Sequence, residues 1–153
     1  MIRNASGRTV AGSTGWQTSA VKDGAVQRVR FTGKSVALPI GWKAVPGGVE
    51  IRFSQPVDPA TAQDPGSYSL KVWNYRYAQQ YGSKDWLVSQ PDKEGREDWT
   101  VKSATVQPDA HSVRLEIPGI RPVMQGELKY NVDTRAGGKP LRGSLWFTLN
   151  QVR

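Results

Sequence analysis

Apolar side chains recur at every second position along most of this chain, and that period leaves little room for anything but β-structure. Val49, Ile51 and Phe53 alternate with Glu50 and Arg52, so three apolar side chains share one face of a strand. Tyr68, Leu70 and Val72 repeat the pattern, as do Val113, Leu115 and Ile117. Leu128, Tyr130 and Val132 follow, and then Leu145, Phe147 and Leu149. Residues 29–31 and 36–38 read as shorter strands and 101–106 as another, which makes about eight strands separated by turn signals.

The turns are explicit. Pro46-Gly47-Gly48 marks a hairpin between residues 42–45 and the Val49 strand, Pro108-Asp109-Ala110-His111 separates Val106 from Val113, and residues 136–140 precede the last strand. Only residues 58–63 look helical, with Asp58 as the cap and Pro59 at the first helical position. No segment sustains a 3.6-residue period. Short alternating strands without crossover helices predict an all-β fold, an antiparallel immunoglobulin-like β-sandwich. Residues 26–153 are expected to form it, with residues 1–25, rich in Gly, Ser and Thr, as an extended lead-in from an upstream domain.

At 153 residues the chain has the size of one ordinary domain and can bury a core without staples. No apolar run approaches the ~20 residues that span a bilayer, so no membrane insertion is expected. Cysteine is absent, which removes disulfides, thiolate metal sites and cysteine nucleophiles together. Met1 is followed by a polar stretch without the apolar core of an export signal. The formal charge of +8 is concentrated early: residues 1–53 hold eight Lys/Arg against two acidic residues. A nucleic-acid interface through Arg28, Arg30 and Lys34 would suit such an excess, but no two basic residues are consecutive, and a solvated face is the preferred reading.

The stretch from Phe53 to Tyr68, Phe-Ser-Gln-Pro-Val-Asp-Pro-Ala-Thr-Ala-Gln-Asp-Pro-Gly-Ser-Tyr, resembles the bacterial Ig-like domains of S-layer and other secreted proteins. The likeness continues through Trp73-Asn74-Tyr75-Arg76-Tyr77 and Tyr81-Gly82-Ser83, resumes at Leu115–Gly119 and Pro122–Gln125, and closes at Phe147-Thr148-Leu149-Asn150. Together these look like the C-terminal Ig-like module of large secreted planctomycete and verrucomicrobial proteins that carry sugar-dehydrogenase-like propellers or glycan-active domains. Gly15-Trp16-Gln17-Thr18 and Gln27–Lys34 look like the edge of the preceding propeller. The resemblance implies a secreted or periplasmic location as part of a longer exported protein, and an accessory role beside domains that do the chemistry.

If Tyr68, Leu70 and Val72 face the core, Trp73, Tyr75 and Tyr77 point to the other side of the same strand, with about 6.5–7 Å between neighbours. Flat rings in a row suit the apolar faces of sugars, with Arg76, Asn74 and Gln79 in reach of hydroxyls. Tyr81 and Trp86 in the following segment extend the candidate glycan-binding set. An outward ring supports little core, so Trp73→Ala is expected to abolish binding and leave the fold intact. The alternative is that residues 78–98, unusually long for a sandwich connection, fold back and bury the strip under Trp86 or Trp99. Trp146 has the parity of an outward residue on the last strand, and some tryptophans are expected at contacts with neighbouring domains.

The chemistry of an enzyme is hard to find. His111 is the only histidine, no serine nucleophile pattern surrounds it, and no phosphate loop or dinucleotide fingerprint occurs. Asp92, Glu94, Glu97 and Asp98 cluster in the long segment but lack the regular spacing of a calcium loop. The expected function is non-catalytic, without cofactor or metal, its partners a polysaccharide and neighbouring domains. The second expectation is a purely structural domain that docks and orients a catalytic neighbour.

Overall fold

The computed structural model describes residues 28–79, 81–135, 137 and 140–152. The chain divides into two units, Met1–Ser35 and Val36–Arg153. The lead-in expected at residues 1–25 and the resemblance resting on Trp16 lie outside the described residues. Residues 28–35 of the first unit form no strand.

Among the described residues the second unit has nine strands: β1 (Pro39–Val45), β2 (Gly48–Phe53), β3 (Tyr68–Tyr75), β4 (Asp85–Trp86), β5 (Glu97–Trp99), β6 (Ser103–Val106), β7 (Ser112–Glu116), β8 (Val123–Val132) and β9 (Leu141–Leu149). They form two antiparallel sheets. One has the order β1-β2-β7-β6; in the other β4 and β5 pair with successive parts of β3, followed by β8 and β9. These are the A-B-E-D and C′-C-F-G sheets of an immunoglobulin-like sandwich. The alternating residues meet between the sheets as the sequence predicts. Ile51, Phe53, Val72, Val113, Leu115 and Ile117 are fully buried, with Leu70, Leu128, Val132 and Leu149 beside them.

The sheets depend on two close approaches. A Cβ on Gly48 would sit 1.8 Å from the Leu115 carbonyl oxygen across the β2–β7 pair, and one on Gly126 would lie 2.4 Å from the Phe147 ring. A side chain at Gly48 would meet backbone and part the strands, and one at Gly126 would have to displace the Phe147 ring. Trp42 of β1 lies 4.7 Å from Phe147, closing the side of the sandwich where β1 and β9 form the edges of their sheets.

Two of the expected strands do not form. Residues 29–31 are irregular, and residues 36–38 are tied to the end of β2 by the Ser54 side chain. Its hydroxyl donates to the Val36 carbonyl at 2.7 Å and accepts from the Leu38 N–H at 3.1 Å. Local side-chain bonding of this kind replaces a regular ladder, and Pro39 next in line has no N–H to extend one. The helix does form: α1 (Pro59–Ala62) starts after Asp58, whose carboxylate accepts from the Ala60 N–H at 3.0 Å. The Tyr68 hydroxyl donates to the Ala62 carbonyl at 2.9 Å and anchors this turn to the start of β3. Burial, and secondarily the nearby Asp64 charge, push the phenol pKa well up, so it remains a donor.

One end of the sandwich is knitted by main-chain bonds between its loops. Val57 N donates to Ala110 O, Phe53 N to His111 O and Arg135 N to Pro56 O, all at 2.8–2.9 Å. The single histidine belongs to this lattice, with Nδ1 3.1 Å from the Phe53 carbonyl. Asp109 collects the His111 N–H, the Ser112 N–H and hydroxyl, and Arg52. Its pKa is held below the ordinary value, first by the Ser112 backbone bond.

Candidate functional site

The long segment after β3 is a stapled excursion along the β3 edge. β4 pairs with Asn74 and Tyr75, and β5 with Leu70, Lys71 and Val72. Arg76 turns into this excursion: its guanidinium lies 4.2 Å from the Trp86 ring centroid and donates to the Pro91 carbonyl and the Asp92 carboxylate. Lys84 pairs with Glu94, and Arg96 donates to Asp85 at 2.7 Å. Burial alone would raise the Glu97 pKa, but hydrogen bonds from Ser89 and Trp99, with Arg121 nearby, outweigh it and hold the carboxyl below its ordinary value. The acidic cluster of this segment is therefore engaged by cations and donors: Asp92 by Arg76, Glu94 by Lys84, and Asp98 by Lys71. Among the described residues no three His, Cys, Asp or Glu side chains are grouped to hold a metal.

This geometry corrects the expected aromatic strip. Trp73 does lie on the outer side of β3, but only 6% of it is exposed. Residues 78–98 fold back as the covering alternative required; the cover over its ring is Arg96, whose guanidinium is 3.9 Å from the centroid, rather than Trp86 or Trp99. A cation over an electron-rich face is attractive, and the planar guanidinium stacks there. Trp73→Ala therefore removes packed surface, and the expectation of an intact fold is withdrawn. Tyr75 is the last residue of β3, half-exposed beside Met124, which accepts from the Tyr75 N–H through sulfur at 3.4 Å. Tyr77 lies beyond the strand end, where alternation no longer fixes its direction, and both it and Tyr81 are fully exposed. Of the six candidate residues, Trp73 is buried, Arg76 and Trp86 stack on each other, and Tyr75, Tyr77 and Tyr81 are exposed, with only Tyr75 on β3.

The ring that the face does present is Trp146, 59% exposed on β9. Its parity alone indicated an outward direction; what could not be read was the neighbour that fixes it. Trp73 meets Trp146 at 6.0 Å between centroids and 82° between planes, an edge-to-face contact. Arg96, Trp73 and Trp146 form a braced series whose last member is open.

Strand register lays out the rest of this outer face. Trp73 pairs with Gln125, Lys71 with Glu127 and Ser69 with Lys129 across β3 and β8. Glu127 pairs with Trp146, Lys129 with Ser144 and Asn131 with Arg142 across β8 and β9. Alternation puts all of them opposite the core residues Leu70, Val72 and Leu128. The surface is a polar field with one exposed tryptophan standing in it. Glu127 is recessed, accepting from the Ser144 hydroxyl at 3.1 Å, with Lys129 Nζ 3.6 Å away. Comparison with family models, with curated proteins and with solved structures gives no match.

Proposed function

We propose that this chain is a non-catalytic module that binds polysaccharide on the outer face of β3, β8 and β9, as part of a longer exported bacterial protein. The observation that carries the reading is the exposed Trp146 ring, held in place by Trp73 and Arg96 and surrounded by polar side chains. A sugar presents an apolar face to such a ring and hydroxyls to the groups around it, here Gln125, Lys71, Lys129 and Ser144. Because the ring is already fixed, little side-chain freedom is lost on binding. Tyr75 and the exposed Tyr77 and Tyr81 supply further aromatic surface near one end of the same sheet. By analogy with aromatic pairs, each stacked ring adds about 1 kcal/mol beyond area burial. One or two rings then support affinities of roughly millimolar to tens of micromolar.

The test is retention of the full chain on polysaccharide gels. Trp146→Ala should lose retention while its circular dichroism and denaturation midpoint stay near wild type. A folded Trp146→Ala protein that binds as before sinks the reading. A second reading has its own observation: Tyr77, Tyr81, Tyr75 and Met124 expose apolar surface at the far end of β3, which suits docking onto a neighbouring domain. It gains if Tyr77→Ser with Tyr81→Ser abolishes association with that domain and Trp146→Ala does not.

A further inference from the structure

Resting on the saccharide-binding reading of this face, we infer that its ligand is an acidic polysaccharide, carrying carboxylates or sulfates, aligned along β9. Trp146, Ser144 and Arg142 follow one another at every second position of that strand, about 7 and 14 Å along it from the tryptophan. Lys129 stands opposite Ser144, and Lys71 stands in line with Glu127 and Trp146. The open surface around the ring is therefore supplied by three cations.

The carboxylates on this face do not cancel that field evenly. Glu127 is nearly buried at its foot and bonded to Ser144. Asp98 sits at the margin on β5, paired with Lys71. Arg142 donates its Nε–H to the neutral Asn131 amide oxygen at 2.7 Å, and among the described residues it has no carboxylate in ion-pair range. The Lys71–Asp98 pair is exposed and weak, and the exposed Lys129 ammonium stands 3.6 Å from the recessed Glu127, so both lysines can turn to an incoming anion. A neutral chain laid here would displace water from three cations and return no charge to them; an acidic chain returns it. Single-stranded nucleic acid also combines stacking with negative charge, but it uses closely successive rings, whereas Trp146, in line with Lys71, stands four residues in register and two strands away from the half-exposed Tyr75.

The probes are polygalacturonate, a neutral dextran and oligodeoxythymidylate, titrated against the full chain at low and high salt. Polygalacturonate should bind best, and raising sodium chloride to about 0.5 M should weaken it by an order of magnitude or more. Lys129→Gln with Arg142→Ser should cost about tenfold at low salt and much less at high salt. Glu127→Gln should tighten binding about two- to threefold by freeing Lys129, an effect opposite in sign to structural damage. Trp146→Ala should lose binding at both salts. Equal binding of dextran, without salt dependence but still lost in Trp146→Ala, overturns the acidic class and leaves the saccharide face standing. Polygalacturonate binding indifferent to both Trp146→Ala and the double variant overturns the face itself. Tighter, Trp146-dependent binding of oligodeoxythymidylate overturns the polysaccharide assignment altogether.

Discussion

Replacing Trp73 by alanine should destabilise the sandwich by about 3–4 kcal/mol, although this residue lies outside the core between the sheets. A tryptophan buried to 6% exposure removes roughly 200 Å² from water, of which about 150 Å² is lost on truncation. At ~25 cal/mol per Å² this is nearly 4 kcal/mol, reduced by about a quarter because an unfolded chain already buries some of it. Loss of the Arg96 contact and of the Trp146 edge adds about 1–2 kcal/mol, partly offset as the guanidinium regains water. With a urea slope near 2 kcal/mol/M, the midpoint should fall by about 1.5–2 M. Trp146→Ala, removing a ring already mostly in water, should cost under about 1 kcal/mol. Trp73→Ala combined with Arg96→Met should cost less than the two singles summed, by about 1 kcal/mol. A Trp73→Ala midpoint within about 0.5 M of wild type would refute the reasoning, since the ring would then not hold the excursion against β3.

Other expectations follow from single contacts. Gly48→Ala should cost about 3 kcal/mol or more by chemical denaturation, because its Cβ meets the Leu115 carbonyl oxygen, which is backbone and cannot step aside. Tyr68→Phe should cost about 1–2 kcal/mol by leaving the Ala62 carbonyl without its donor. Stability should decline in acid: Asp109, Glu116 and Glu97 all have folded pKa values below their ordinary ones. Such groups stabilise the fold above their unfolded pKa and lose that contribution as pH falls through the folded value. Asp109→Asn should flatten the melting-temperature profile below about pH 4, and an unchanged profile would count against the Asp109 hub.

The period-two pattern carried the core and both sheets because burial on one face of a strand leaves its mark on every second residue. Asp58-Pro59 carried the helix, since a cap and a fixed φ act locally. β4 and β5 were not legible: they are two and three residues long, and the pairs Lys84–Glu94 and Arg96–Asp85 that tie the excursion to itself, like Lys71–Asp98 and Arg96 over Trp73 that hold it to β3, are set by a fold-back rather than by local pattern. The same fold-back decided the candidate site. Alternation correctly put Trp73 on the outer side of β3, but parity distinguishes faces, and it cannot say that Arg96, twenty-three positions on, covers one of them. Tyr77 was misplaced because the strand stops at Tyr75, and a strand end in a polar stretch has no strong signal. Trp146 was readable as outward; its brace was not.

The most direct test of the central claim is amide chemical-shift mapping of the full chain during titration with a soluble polygalacturonate oligomer. The expected result is a contiguous set of shifts on alternate residues, Trp146, Ser144 and Arg142 on β9 with Gln125 and Lys129 on β8, together with the Trp146 indole N–H. Shifts confined to the loops around Val57, Ala110 and Arg135 at the knitted end, or absent from the Trp146 indole, would contradict it.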